Sequence, residues 1–587
     1  MKESLKKISS LFNKRERKKF GLIFILMIGA ALLETLGVGL MLPFVGIITN
    51  PDIINSQPIL NYVYELFNFT SFTQFTIFLV IIMMSLFLFK NVYLLAFFYV
   101  QYRILLNQQV KLSSQLLKSY LKKPYTFHLQ RNSSDLLRNV TAEVPKVFQG
   151  MILPAFQLMT EILVITFILT LLVLTAPVAT ISAIGILGLS IGLFYGIFKK
   201  KISRLGTEQQ AVTGKMIKWI NQSLGASKDV KVTGKENFFI KSFQHYSQIK
   251  ANNGRYIKML DQSPRLFIET LLVATVLITM LIVIFQGANT AEIVTTMALF
   301  AMAAFRLMPS ITRVLSMVTQ IKYNYPALEV VFNDLNIDNE EFTEQLQLSS
   351  EEQKNKTFKH LLKMDHVSYR YPAQEAHALS NVTAEIPIGS SVAFIGASGS
   401  GKTTAMDIML GLLKPQEGKI TIDGQEISKQ KKLWQRNIGY IPQVIFLSDD
   451  TILRNIAFGI EENEIDEKAA WKALEQAQLK EFVESLPDSI YTNIGERGAR
   501  ISGGQRQRIG IARALYHDPQ ILFMDEATSA LDNNTEKEIM NSLNQLKGAK
   551  TLIIIAHRLS TIENCDIIYE MKNGSLINVR KFEKSIV

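Results

Sequence analysis
The sequence predicts a two-part chain: an α-helical six-span transmembrane domain over residues 1–345, a linker over 346–356, and an α/β domain over 357–587. Three observations predict it. Of the 587 residues, 48% are hydrophobic and only 19% charged, against about a quarter charged in ordinary soluble chains, and the mean hydropathy is +0.16. Charge is split unevenly: residues 1–350 carry 34 Lys and Arg against 20 Asp and Glu, whereas residues 351–587 carry 29 against 31. Finally, apolar runs long enough to cross a membrane fill the first part, and short strand-like runs joined to helical ones fill the second.

The basic residues of the first part come in blocks. Residues 1–19 hold eight, 90–146 nine and 199–265 fourteen, while 20–89, 147–198 and 266–305 hold none. A nucleic-acid patch has no reason to alternate in this way, so nucleic acid is excluded as a partner. A polytopic membrane domain does alternate, because its cytoplasmic loops retain Lys and Arg. The single cysteine, Cys565, excludes an intrachain disulfide framework and a cysteine zinc cluster.

About 20 mainly apolar residues cross the hydrocarbon. Span one covers 20–48, interrupted by Glu34, and span two covers 66–89 with apolar sequence continuing to Tyr102. Residues 162–198 are too long for one span, and Thr175, Ala176 and Pro177 read as a turn between spans three and four. Span five covers 270–291, and span six runs from 293 past Arg306. The first apolar run is too long for a cleaved signal peptide and reads as an uncleaved span. Six spans behind a basic N-terminus put both termini in the cytoplasm. The loops at 103–146 and 199–265 are helix-patterned, so the spans are expected to continue as cytoplasmic helices. Residues Pro58 to Phe69 read as an amphipathic helix at the outer membrane face.

In the second part, Ser391 to Ile395 reads as a buried strand, followed at once by Gly396, Ala397, Ser398, Gly399, Ser400, Gly401, Lys402 and Thr403. This is the G-x-x-x-x-G-K-[ST] phosphate loop. Its glycines let backbone N–H groups curl around phosphate oxygens. Lys402 supplies a charge to the β- and γ-phosphates of ATP, and the Thr403 hydroxyl suits Mg²⁺. A helix expected from Thr404 to Leu412 points its dipole at the anion. Ile521 to Asp525 reads as a second buried strand ending in the acids Asp525 and Glu526. Asp525 suits the Mg²⁺ shell through water, and Glu526 suits a general base for the attacking water. Thr551 to His557 reads as a third strand, with His557 at the edge where open α/β sheets bind ligands.

Ile501, Ser502, Gly503, Gly504, Gln505, Arg506, Gln507 and Arg508 resemble the ABC signature, with Ile at the usual leading Leu. Order and spacing also resemble that family, over the whole chain: six spans followed by an α/β P-loop ABC nucleotide-binding domain, as in a type IV ABC exporter half-transporter. The resemblance implies ATP hydrolysis coupled to transport. It implies further roles: Tyr371 stacks on adenine, Thr404 belongs to the phosphate site, and Gln443 is the Q-loop glutamine at Mg²⁺ and the attacking water. Asp532 belongs to the D-loop, and His557 is the switch histidine. Each ATP is implied to lie between one P-loop and the Ser502–Gln505 signature of a second copy, so a homodimer is expected, with a heterodimer as the alternative. Tyr125–Arg131 and Gly225–Gly234 resemble the two coupling helices, and Glu496 the transmission loop.

For the cargo, Glu34, Glu161, Arg265 and Arg306 lie in or at the spans, where ionisable residues usually face the bundle interior. The stretches Leu33–Phe44, Arg131–Val144 and Phe305–Ser310 resemble the bacterial lipid-linked oligosaccharide flippases. That likeness implies a polyprenyl-pyrophosphate glycan as cargo, with Arg265 and Arg306 as the positions carried over; Glu34, an ionisable residue within span one, is a further candidate substrate residue. The spans put the chain in the bacterial cytoplasmic membrane. An exporter of a peptide or hydrophobic small molecule is the alternative. A soluble ATPase is argued against by the spans, and a gated channel by Glu526.

Overall fold
A computed structural model of the chain describes residues 2–39, 44, 47, 58–175, 177–285, 290–336, 357–372, 374–526, 536–537, 539–540, 548–556, 562 and 565–582. The chain forms two compact units, one of Met1–Lys123 with Gln130–Thr343 and one of Pro124–Leu129 with Glu344–Val587. The expected linker at 346–356 lies outside the described residues.

The first unit is helical: α1 (Lys2–Ser10), α2 (Lys14–Gly39), α3 (Pro58–Leu66) and α4 (Phe72–Lys122). The short α5 (Tyr125–Gln130) falls mostly in the second unit. Then come α6 (Ser133–Arg138), a π turn (Asn139–Glu143), α7 (Val144–Val147) and a second π turn (Phe148–Ile152). The unit continues with α8 (Leu153–Thr175), α9 (Pro177–Gly225), α10 (Ser227–Thr233), α11 (Glu236–Phe285) and α12 (Thr290–Asn336). Apart from 66–71, the described residues of spans two to six fall on α4, α8, α9, α11 and α12, and span one lies on α2 as far as Gly39; most of 40–48 and residues 286–289 lie outside the described residues. Among the described residues, the helices at Lys14–Gly37, Phe72–Lys122 and Ser133–Thr170 are long and apolar enough to cross a membrane.

Helices α4, α9, α11 and α12 run 47–51 residues. That is about 70–77 Å at 1.5 Å per residue, far beyond the hydrocarbon, so the expected helical extensions are present. Met84, Leu88 and Leu95 on α4 are about two-thirds exposed or more, which suits a lipid-facing surface. The span predicted from residue 66 begins instead at Phe72. Asn68 takes a left-handed backbone, and the Ser71 hydroxyl caps the helix by accepting from Thr73 N–H at 3.3 Å. Pro177 starts α9, as the turn reading required.

The second unit holds β1 (Leu361–Tyr369), β2 (Leu379–Pro387), β3 (Ser391–Ile395), α13 (Lys402–Met409), β4 (Glu417–Ile422), β5 (Gln425–Glu426), α14 (Lys431–Asn437) and β6 (Ile438–Ile441). It continues through α15 (Ile452–Ile456), α16 (Glu467–Gln476), α17 (Lys480–Glu484), α18 (Gly503–Leu515), β7 (Ile521–Asp525), β8 (Thr551–Ile555), β9 (Ile567–Lys572) and β10 (Ser575–Lys581). Strands β2-β1-β4-β5 form an antiparallel sheet. A second sheet runs β10-β9-β3-β8-β7-β6, parallel except for β10.

The near-continuous apolar strands follow from burial on both faces. On β7, Leu522 and Met524 enter a core with Leu474, Ile509 and Ile511 of the helices, while Ile521 and Phe523 enter another with Trp434, Phe394 and the antiparallel sheet. Gly439 on β6 has no room for a side chain: a Cβ would meet Ala514 O at 2.6 Å and Leu522 Cδ2 at 2.7 Å. Gly439→Ala is therefore expected to destabilise this unit by about 1–3 kcal/mol, measured by thermal or urea unfolding. An unchanged midpoint contradicts the packing. Two predicted bounds shift. The helix expected from Thr404 begins at Lys402 and ends at Met409, because Gly401 already serves as its N-cap. The strand expected to reach His557 ends at Ile555.

Candidate nucleotide-binding site
Strand β3 delivers the loop Gly396–Thr403, and the parallel order β3-β8-β7 sets the ends of three strands side by side. Open parallel sheets bind ligands at that edge. The loop is closed by glycines in backbone conformations other residues avoid: φ is 146° at Gly396 and 104° at Gly401. A Cβ on Gly396 would lie 2.2 Å from Met571 O, so the loop is seated on β9 as well. Ser398 and Gly399 are exposed at the loop tip, Thr403 is exposed in the first turn of α13, and the Ser400 hydroxyl is buried without a partner.

Lys402 is buried and donates Nζ to Gly396 O at 2.8 Å and Ala397 O at 3.0 Å. Burial lowers its pKa, and the charges of Glu526 and Asp525 oppose that shift, so the ammonium lies within electrostatic reach of both acids. Asp525 is buried at the end of β7. Glu526 follows in a left-handed backbone, with φ 46°, costing about 1–2 kcal/mol. Gln443, just beyond β6, donates Nε2 to Glu526 Oε2 at 2.7 Å. Strained backbone clusters at functional sites, and this strain aims the carboxylate toward Gln443.

Tyr371 lies edge-on to Tyr369, with centroids 5.1 Å apart, and its hydroxyl is 3.2 Å from Thr404 Oγ1. Two residues assigned to the site from sequence are thus joined. At the signature, Ser502 caps α18: its hydroxyl accepts from Gln505 N–H at 3.2 Å, and Gln505 Oε1 accepts from Ser502 N–H at 2.8 Å. This capping box gives Gln505 a local structural task and leaves Ser502 and Gly503 exposed. Gly504 is in the first turn of α18, and Glu496 is exposed in a 3₁₀ turn before it. Among the described residues, no hydrogen bond or ion pair joins the signature to the P-loop. Asp532 and His557 lie outside the described residues.

Sequence reasoning missed Asp407 on α13. Burial, then the charge of Asp525, raises its carboxyl from 3.8 to about 6. No motif flags it, since only the packing around α13 half-buries it. The folded state therefore holds this proton where the unfolded chain releases it. Stability conferred on the protonated form is full below pH 3.8 and is lost as pH rises to about 6. Asp407→Asn is expected to raise the thermal midpoint above pH 6 and to leave it unchanged near pH 4; a pH series of unfolding midpoints checks this.

In the helical unit, Glu34 is half-buried on α2 and Arg265 is exposed on α11, while the side chain of Arg306 lies outside the described residues. Glu161 accepts from Arg313 Nη2 at 3.1 Å, an ion pair between α8 and α12 that sequence reading did not anticipate because 152 positions separate the partners.

Comparison with known proteins places these features in context. Residues 379–529 match the family model "ABC transporter", and residues 20–308 match "ABC transporter transmembrane region". The ATP-dependent lipid A-core flippase of Saccharophagus degradans is 31% identical over 80% of this chain and 78% of its own length. That of Ralstonia nicotianae is 30% identical over 81% and 78%. The fold matches that of a bacterial Atm1-family ABC exporter with ATP bound, at TM-score 0.76 and 21% identity, covering 96% of each chain.

Proposed function
This chain belongs to the ABC transporter family, as a membrane-embedded helical region joined to one ATP-hydrolysing domain, and from that premise we propose that it is a homodimeric flippase for a phosphate-bearing glycolipid. The observation that carries the reading is the similarity to lipid flippases over four-fifths of the chain, both halves included. The polyprenyl-pyrophosphate glycan inferred from sequence and the lipid A-core of the relatives share this chemistry: anionic phosphate, sugar and lipid tail.

The site supports hydrolysis residue by residue. The loop at Gly396–Gly401 and Lys402 hold the phosphates, with Tyr371 beside the base. Thr403 and Asp525 fit Mg²⁺: an exposed hydroxyl and a buried carboxylate near the lysine suit a hard cation that takes its other ligands from phosphate and water. Gln443 completes that set and holds Glu526, the base for water, while His557 serves the γ-phosphate.

One chain offers one P-loop and one signature, and the exposed Ser502 and Gly503 await a phosphate from a second copy. Closed symmetric pairs are the commonest assemblies. The chain sits in the bacterial cytoplasmic membrane with both termini inside. Arg265 and Arg306 meet the lipid phosphates, since guanidinium forks pair with phosphate oxygens, with Glu34 beside the path. Helix α3 packs Leu60, Val63 and Tyr64 toward Ile47 and Phe75 while Tyr62 stays exposed, the form of a helix at the outer face.

The test is ATP-dependent movement of fluorescent polyprenyl-pyrophosphate oligosaccharide, and separately of labelled lipid A-core, in proteoliposomes. Movement of either with ATP, and not with Glu526→Gln, is expected. Robust hydrolysis that moves neither lipid overturns the cargo.

A further inference from the structure
Gln443 holds Glu526, yet it sits in a stretch with no helix or strand of its own. Residues 442–448 run between β6 and the turn before α15. Val444 and Phe446 are 83% and 63% exposed, so their side chains give the stretch no anchor. Ile445 and Leu447 do anchor it: both are buried in the core that holds Ile509 and Ile511 of α18. The approach to α18 is close, since a Cβ on Gly510 would lie 2.2 Å from Ile445 Cδ1. Apolar contact of this kind fixes depth but not the direction of the backbone, because it is non-directional. Direction comes from hydrogen bonds, and these are made by Arg513 near the end of α18.

Arg513 donates Nη1 to Phe446 O at 2.8 Å, Nε to Asn455 O at 2.7 Å and Nη2 to Asn455 Oδ1 at 3.2 Å. Its guanidinium stands over the Phe458 ring, 4.7 Å from the centroid. Asn455, on α15, has no exposed surface. Its Oδ1 accepts from Ser448 N–H at 3.0 Å, and its Nδ2 donates to Ser448 O at 3.1 Å and Thr451 O at 3.0 Å. The backbone at Phe446 and Ser448 is thus held by one guanidinium and one amide that are bonded to each other. A planar guanidinium sends its donors along fixed directions, which an ammonium does not. Phe446 follows Gln443 by three residues, at most about 10 Å of extended chain. Slack at Phe446 therefore reaches Gln443 with little length in which to be absorbed. Gln443 meets Glu526 at 2.7 Å, and a displacement of about 1 Å near the reacting groups costs on the order of a hundred-fold in rate.

We propose that Arg513, supported by Asn455, is a positioning residue for ATP hydrolysis: its fork fixes the Phe446 carbonyl and so sets where Gln443 presents its amide to Glu526 and the attacking water. This rests on the reading of Gln443 and Glu526 as parts of the hydrolytic site. Arg513 acts through the 443–446 backbone, whereas the phosphates are held by the Gly396–Gly401 loop and Lys402. Its loss therefore falls on kcat and leaves KM for ATP little changed.

The test is a double-variant cycle on the full chain in proteoliposomes, reading steady-state hydrolysis over a range of ATP with Mg²⁺. Four chains are compared: native, Arg513→Met, Gln443→Ala and the two substitutions together. Arg513→Met is expected to lower kcat about five-fold or more with KM within about two-fold. In the Gln443→Ala chain the same substitution is expected to lower kcat by less than about two-fold, because the residue it positions is already gone. An arginine that only supports folding gives losses that multiply. Thermal midpoints measured in parallel keep every assay below the unfolding range, and Arg513→Lys, which keeps the charge without the fork, carries the same cycle if the Met variant does not fold. Multiplying losses, a fall in kcat smaller than five-fold, or a loss carried by KM overturns the proposal. A native rate in Gln443→Ala alone removes Gln443 from the hydrolytic site and the proposal with it. That outcome is distinct from multiplying losses, which leave Gln443 in its role and remove Arg513 alone.

Discussion

Glu526→Gln will bind ATP and hydrolyse it about a hundred to ten-thousand-fold more slowly than the native chain, the usual contribution of a positioned general base. The expectation comes from geometry. Glu526 sits one residue beyond β7 in a strained left-handed backbone, and Gln443 holds its carboxylate at 2.7 Å. Water must lose a proton as it attacks, and Gln at this position is isosteric yet cannot accept one. The loss equals about 3–5 kcal/mol of transition-state stabilisation. Lys402 and the loop glycines remain, so nucleotide affinity should change little. Single-turnover hydrolysis with a parallel nucleotide-binding titration separates the two effects. A variant that turns over within ten-fold of the native rate removes Glu526 from the role of base.

The second large effect concerns which chain completes each site. Lys402→Ala removes the phosphate-facing charge. Gly503→Asp places a carboxylate at the start of α18, where nothing lies within 4 Å of the added Cβ and where helix dipoles tolerate anions. The substitution therefore folds while repelling a phosphate. Either variant alone should lose nearly all hydrolysis. Dimers isolated with one lesion on each chain should recover activity, because one composite site then has an intact P-loop facing an intact signature. Dimers with both lesions on one chain and none on the other should stay inactive, because each site then contains one lesion. If sites were completed within a chain, the outcomes would be reversed: the second arrangement would be active and the first dead. Affinity-tag selection of mixed dimers followed by an ATPase assay decides between them.

Much of this protein is legible in its sequence because the signals are local. A P-loop needs its glycines, lysine and threonine in one run, and a buried parallel strand needs an unbroken apolar run, so β3, β7 and β8 can be read from a few residues each. The helix at Pro58 and the turn at Pro177 are equally local. The helix of span two starts at Phe72 rather than 66 because the deciding feature, the Ser71 cap after a left-handed Asn68, carries little weight in the sequence against the aromatic residues around it. Gln505 read as a ligand from its place in the signature, while its amide is turned back to close a capping box. Such a bond depends on the local fold of the turn, which spacing does not reveal.

The sequence by itself determined the two-part architecture, the family likeness and the phosphate loop, since each rests on residue type at fixed short spacing. Only the tertiary structure decided that Gln443 meets Glu526 across 83 positions, that Asp407 is half-buried within electrostatic reach of Asp525, and that Glu161 pairs with Arg313. The same holds for the hydrogen bonds joining Tyr120 and Asn139 to Asp334. The physical reason is one of distance along the chain. Hydrophobic periodicity and turn chemistry act over a few residues, whereas the burial and pairing of a polar side chain depend on groups that packing alone brings within 3 Å.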